Sequence, residues 1–206
     1  MTVTPYKWSI EEYHLMIESG LLADKSVELL NGEIIEMSPE REEHSYTNDD
    51  VAELLREKLQ GLAKIRESHP ITLDNSEPEP DLAVVRLPKT IYKQHHPYPE
   101  DIYWLIEVRP RADMRSGIPW DVRRKGTRTF EVSYKTLAKD LTEKSLVYAR
   151  NGIPEYWIID LVNKKLIVHT HLIGSSYSQI KEYIEGTISP LAFPQVAIAL
   201  KQLLLF

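Results

Sequence analysis

Ile102-Tyr103-Trp104-Leu105-Ile106-Glu107-Val108 is an apolar run interrupted only near its end, by a carboxylate. Continuous rather than alternating apolar character marks a strand covered on both faces, a central position in a sheet. A carboxylate at the end of such a strand needs a partner or a metal, because burying an unpaired charge is costly. Upstream, Glu79-Pro80-Asp81 leads into Leu82-Ala83-Val84-Val85, a second buried strand with an extended, proline-rich entry. Downstream, the pattern predicts a helix over residues 137–151, with Gly152 as its C′ residue and Pro154 just beyond. Leu137, Leu141, Lys144 and Tyr148 lie on one stripe of that helix, so Lys144 interrupts an apolar face. The bland reading of Lys144 is a packed stem with its head in water. Asp140, four residues earlier, suits a surface ion pair with it.

The segment between strand and helix differs from its surroundings. Residues 109–132 carry seven basic side chains and three acidic ones, within a chain of net charge -6. They show no helical or strand periodicity until Thr129, and Glu-Val stands at both ends, at Glu107-Val108 and Glu131-Val132. We read 109–132 as a basic loop inserted into a single domain spanning 1–206. Glu131 then becomes a rival to Glu107, ranked second because Thr129-Phe130 is too short for a core strand.

The N-terminal third supplies further candidates. Ser9-Ile10-Glu11-Glu12 is a capping box that starts a short helix through about Ser19, with Gly20 as its stop. Tyr13, Met16 and Ile17 share one face of it. Asn31-Gly32, between Val27–Leu30 and Glu33–Met37, is a strong hairpin signal, because a type I′ turn needs positive φ at both central residues. Glu28 reads locally as a solvent-facing residue of that hairpin. Helical spacing of Val51, Leu54, Leu55, Leu59, Leu62 and Ala63 predicts a helix from about Ser45 to Glu67, with His44 just before it as an exposed cap-region histidine. Pro70 to Leu73 suggests a short strand, and Glu155–Asp160, Lys165–His171 and Tyr177–Ile184 suggest three more. The apolar tail Leu203-Leu204-Leu205-Phe206 must pack on the domain or on a second copy, and with the sheet edges it suggests a homodimer.

Bulk composition narrows the function classes. With 206 residues and 42% hydrophobic content the chain can bury one real core. No apolar run approaches the roughly 20 residues that span a membrane, and the N-terminus lacks a charged head and an apolar signal core. The absence of cysteine excludes disulfides and thiolate metal sites. Together these predict a cytoplasmic protein. There is no Gly-rich phosphate loop, no H-E-x-x-H and no G-x-S-x-G, and the seven histidines lack zinc spacing. Asp81 and Glu107 at the ends of neighbouring strands would suit Mg²⁺, or Mn²⁺ in its place. Such an ion often takes only one or two carboxylates, with water and phosphate as its other ligands. A nearby lysine would orient the attacking water and offset developing charge.

Several blocks together resemble the Uma-type endonuclease family of the PD-(D/E)XK restriction-endonuclease-like superfamily. They are Glu28–Ile34, Met37-Ser38-Pro39, His44, Glu79–Val85, Ile106-Glu107-Val108, Asp140–Lys144 and Tyr148–Asp160. The resemblance covers roughly residues 8–200, with Gly152-Ile153-Pro154-Glu155-Tyr156-Trp157 its most specific part. It implies an α/β (α+β) fold with a mixed β-sheet flanked by helices, a divalent metal, and hydrolysis of phosphodiester bonds, in DNA above all. Asp81 and Glu107 match the acidic pair, Lys144 matches a lysine displaced onto the following helix, Glu28 matches an extra acid near the metal, and His44 matches a recurrent histidine. Two positions depart from the pattern: Arg109 stands where the superfamily has its lysine, and the basic segment separates Glu107 from Lys144. Two rival expectations are a catalytically silent binding or assembly module on the same fold, and a toxin-like or transposon-derived nuclease held in check by a partner.

Overall fold

The structure of the chain is a computed structural model, which describes residues 4–37, 42–109 and 141–204. Glu131, Asp140 and residues 110–132 of the expected insertion lie outside the described residues.

A six-stranded mixed sheet forms the centre, built from β3 (Lys64–Glu67), β4 (Leu82–Val85), β5 (Ile102–Arg109), β6 (Glu155–Asp160), β7 (Lys165–Ile173) and β8 (Ser176–Tyr183), in that spatial order. β5 and β6 pair in parallel and the other neighbours pair antiparallel. A parallel pair cannot be closed by a hairpin and needs a crossover. Helix α3, residues 141–150, lies in that connection. β5 is central, as its unbroken apolar run predicts, and reaches one residue further than expected. Arg109 continues the ladder opposite Asp160, and its guanidinium pairs with that buried carboxylate at 3.2 Å. The first residue of the basic segment is therefore a strand residue.

Each face of the sheet has its own core. On one, Val51, Ala52 and Leu55 of α2 (Glu42–Lys58) pack against Leu82, Val84, Trp104 and Ile106. On the other, Leu141, Val147 and Tyr148 of α3 pack against Ala83, Leu105 and Tyr156. A third, smaller cluster joins α1 (Ile10–Glu18) to the hairpin of β1 (Val27–Leu30) and β2 (Glu33–Glu36) through Tyr13, Leu22 and Leu29. The fold is the expected mixed sheet flanked by helices.

Three local expectations are corrected. The helix expected to reach Glu67 stops at Lys58, because Gly61 turns the chain at φ +74 and Lys64–Glu67 becomes edge strand β3. At its other end α2 starts at Glu42 and not at about Ser45, so His44 lies inside its first turn. Pro70–Leu73 forms no strand and joins no sheet. Of the apolar tail, Leu203 and Leu204, at the end of α4 (Leu200–Leu203), are buried in the α2-side core, while Leu205 and Phe206 lie outside the described residues.

Glu155 ties the far end of the sheet to the C-terminal segment. It is 1% exposed and accepts from Trp157 Nε1 and from the Leu191 amide, both at 2.7 Å. Burial pushes its carboxyl above the ordinary 4.5, and these two bonds pull it back only partly. The native state therefore binds more protons than the unfolded chain just above pH 4.5, and the Glu155 contribution to stability declines as pH rises through that window. Glu155→Gln cannot titrate, so urea unfolding across pH should show the lead of the natural chain over the variant shrinking as pH rises from 4.5. A gap that stays constant would contradict this.

Candidate active site

The register of the sheet brings Asp81 and Glu107 together. Leu82 pairs with Ile106 across β4 and β5, and one further step along the ladder sets Asp81 opposite Glu107. Backbone pairing gives way there to a side chain, for the Val108 amide donates to Asp81 Oδ2 at 2.6 Å. On its other side Asp81 is anchored by its carbonyl, which accepts from the Ser68 amide at 3.0 Å and from Asn48 Nδ2 at 3.3 Å. His44 reaches the same Oδ2 from α2, with Nε2 at 3.0 Å. An ionised carboxylate only accepts, so the ring is assigned its Nε2–H form.

Strand alternation sends Glu107 the opposite way from its neighbours. Ile106 and Val108 belong to the α2-side core, while Leu105 belongs to the α3-side core, and Glu107 shares its side. There Lys144 Nζ lies 3.2 Å from Glu107 Oε1, and the Tyr148 hydroxyl donates to the same oxygen at 2.9 Å. Lys144 also lies 3.5 Å from Glu28 Oε2, which in turn accepts the Glu79 amide at 3.1 Å. Glu28, Glu107 and Lys144 are 3%, 6% and 6% exposed, so Glu28 is turned inward and is not the solvent-facing hairpin residue that its local sequence suggests. Burial pushes the Tyr148 hydroxyl well above its usual range, and the nearby Glu107 charge adds to this, so it remains a donor. Glu79 is raised first by burial and then by Glu28.

The hairpin carrying Glu28 is held at both ends. Asn31 and Gly32 adopt φ 53 and 72, the turn the sequence predicts. A Cβ on Gly32 would come within 2.9 Å of Lys7 Cβ and 3.1 Å of the Trp8 carbonyl, so the N-terminal segment excludes any side chain there. The hairpin's Asn31 and Gly32 amides donate to Ser76 Oγ and the Asn75 carbonyl at 2.9 Å, and the Glu77 amide donates to the Leu29 carbonyl at 2.7 Å. From α3, Arg150 donates to Asn31 Oδ1. One helix thus holds the hairpin through Arg150 and the carboxylates through Lys144.

Of the expected residues, Asp81 and His44 form one group, and Glu28, Lys144 and Glu107 another. The two meet at the Glu107–Val108 peptide. Glu131 and Asp140 lie outside the described residues. Tyr148 and Glu79 join the site without having been singled out as candidates. The signal for Tyr148 is its spacing, four residues after Lys144 on the same stripe. The donors on offer are hard carboxylate oxygens, which suit Mg²⁺. Among the described residues no three or more His, Asp or Glu side chains are arranged as a ready cage. Mg²⁺ is often held by only one or two carboxylates, with water molecules as its other ligands.

Comparison with known proteins agrees with this architecture. The profile of a family named Uma2 and described as "Putative restriction endonuclease" matches residues 10–113 and 129–201. A search of curated proteins finds no match. Among solved structures, one described as a putative nuclease from Anabaena variabilis superposes with a TM-score of 0.60 at 14% identity, covering 88% of this chain and 90% of that one. At that identity the likeness concerns the fold.

Removing one partner from a buried ion pair leaves a desolvated charge behind, which costs about 3–5 kcal/mol. Lys144→Met should therefore lose stability on that scale in urea unfolding at pH 7. A loss within the ~1 kcal/mol of an exposed pair would show that Lys144 does not hold the two glutamates together.

Proposed function

Because the chain belongs to the Uma2 family, we propose that it is a metal-dependent endonuclease that hydrolyses phosphodiester bonds, with DNA as its substrate. The observation that carries this reading is the meeting of both acidic groups at one peptide. Asp81 accepts the Val108 amide, and Glu107, one residue earlier, accepts Lys144 and Tyr148. Asp81 and Glu107 would hold a divalent cation, which when bound supplies charge stabilisation at the phosphoryl group and an acidified water.

The chain's own groups do the positioning. The Val108 amide and His44 fix one oxygen of Asp81, so its carboxylate arrives oriented. Lys144 contributes an ammonium beside Glu107, where a phosphoryl group would gather negative charge. Glu28 steadies that ammonium and is itself steadied by the Glu79 amide. The seven basic side chains of 109–132 give phosphate-binding chemistry to a chain that is otherwise acidic.

A second reading rests on the same lysine. An ammonium 3.2 Å from Glu107 and 3.5 Å from Glu28 already supplies positive charge there, as a silent binding module would require.

The two readings part on metal and on cleavage. The nuclease should cut DNA with Mg²⁺ or Mn²⁺ present and stop in EDTA, and Asp81→Ala should abolish cleavage while far-UV circular dichroism stays native. Cleavage by a folded Asp81→Ala chain would remove Asp81 from the site. Calorimetry of the silent module should register no metal binding, whereas the nuclease should bind at micromolar levels and lose that binding in Glu107→Gln.

A further inference from the structure

We propose that Tyr148 is a positioning residue: its hydroxyl and the Lys144 ammonium together clamp Oε1 of Glu107 and fix the angle at which that carboxylate meets a cation. The proposal rests on reading Glu107 as a metal ligand.

Three features of the structure lead to it. Tyr148 and Lys144 stand four residues apart on α3, so they occupy one face a single turn apart. Both donate to the same oxygen, at 2.9 Å and 3.2 Å. A carboxylate oxygen has two lone pairs, so two donors converging on it stop the group from rotating. The tyrosine ring is itself immobilised. It is 0% exposed, and it meets Tyr156 edge-on, with centroids 5.1 Å apart and planes at 75°. Phenylalanine would fill the same volume, so a role in packing alone would not require the hydroxyl. Groups that orient metal ligands from behind typically change metal affinity by about 10–100-fold when lost.

Lys144 cannot perform this task alone. Its ammonium is a compact charge on a flexible stem, and it is shared between Glu107 and Glu28. The phenol is rigid, neutral and directional. In this arrangement the lysine supplies charge and the tyrosine supplies aim.

The test uses the full chain and Mn²⁺ alone. Tyr148→Phe should bind Mn²⁺ about 10–100-fold more weakly by calorimetry, measured at a temperature where far-UV circular dichroism shows the variant folded. Should Tyr148→Phe fold poorly, 3-fluorotyrosine at position 148 keeps ring and hydroxyl and makes the donor more acidic. Manganese affinity should then shift, whereas a mere filler would leave it fixed. Unchanged affinity in the folded variants, while the natural chain binds Mn²⁺ and Glu107→Gln does not, overturns the role of Tyr148 and leaves the site standing. A natural chain that binds no Mn²⁺ overturns both.

Discussion

A lysine ammonium buried between two glutamates is the constraint on which the site depends. Taking each of these charges out of water costs several kcal/mol, repaid only when geometry is good and the remaining lone pairs are satisfied. Lys144 comes from α3, Glu107 from β5 and Glu28 from β1, so meeting that condition requires three elements distant in sequence to reach one place. Additional donors complete it. Tyr148 bonds to Glu107 and the Glu79 amide bonds to Glu28. The cluster is therefore as much a device for docking the hairpin onto the sheet as a chemical centre. A misplaced hairpin would leave Lys144 with one carboxylate where it now has two.

The surrounding contacts read as supports for that docking. Gly32 lets the N-terminal segment press against the hairpin turn, and Asn75, Ser76 and Glu77 hold its inner edge. Glu77 is itself buried, with His14 Nε2 at 2.9 Å and Thr72 donating at 3.0 Å. The long loop between β3 and β4 thus packs as a structural layer, and it delivers Glu79 and Asp81 at its end. Asp81 is anchored separately, through Val108 and His44, so α2 and α3 each secure one acidic residue from opposite sides of the sheet.

Much of this was legible in the sequence because the signals are local. The capping box at Ser9, the Asn31-Gly32 turn and the unbroken run of β5 each state their own geometry. The position of Lys144 on an apolar stripe was also readable, since helical spacing fixes which residues share a face. Glu28 was harder. Its strand has four residues, of which Leu29 and Leu30 are both buried, so period-2 alternation could not say which way the glutamate faces. The end of α2 was missed for a related reason. Leu59, Leu62 and Ala63 continue the helical spacing past the turn, and a single left-handed glycine outweighs the periodicity. Only the resemblance to other chains drew Glu28 and His44 into the site.

Cavity shape points elsewhere than charge does. A cavity of about 650 Å³ is lined by His14, Thr72, Tyr92, His95 and Tyr98, with none of the candidate acids among its walls. Tyr98 precedes the start of β5 at Ile102, and Glu107 lies further along that strand, roughly 16 Å from its start at 3.3 Å per residue. For a small-molecule enzyme the cavity would be the better guide. A polymer backbone has to pass across its site, and so has no need of an enclosing pocket. What it needs is a cluster of oriented oxygens and a cation where strand ends meet the surface. Asp81 meets that description, with its side chain 16% exposed and His44 beside it at 14%, while Glu107 and Lys144 lie just beneath. Under the nuclease reading, the carboxylate–lysine cluster is thus a stronger candidate than the cavity.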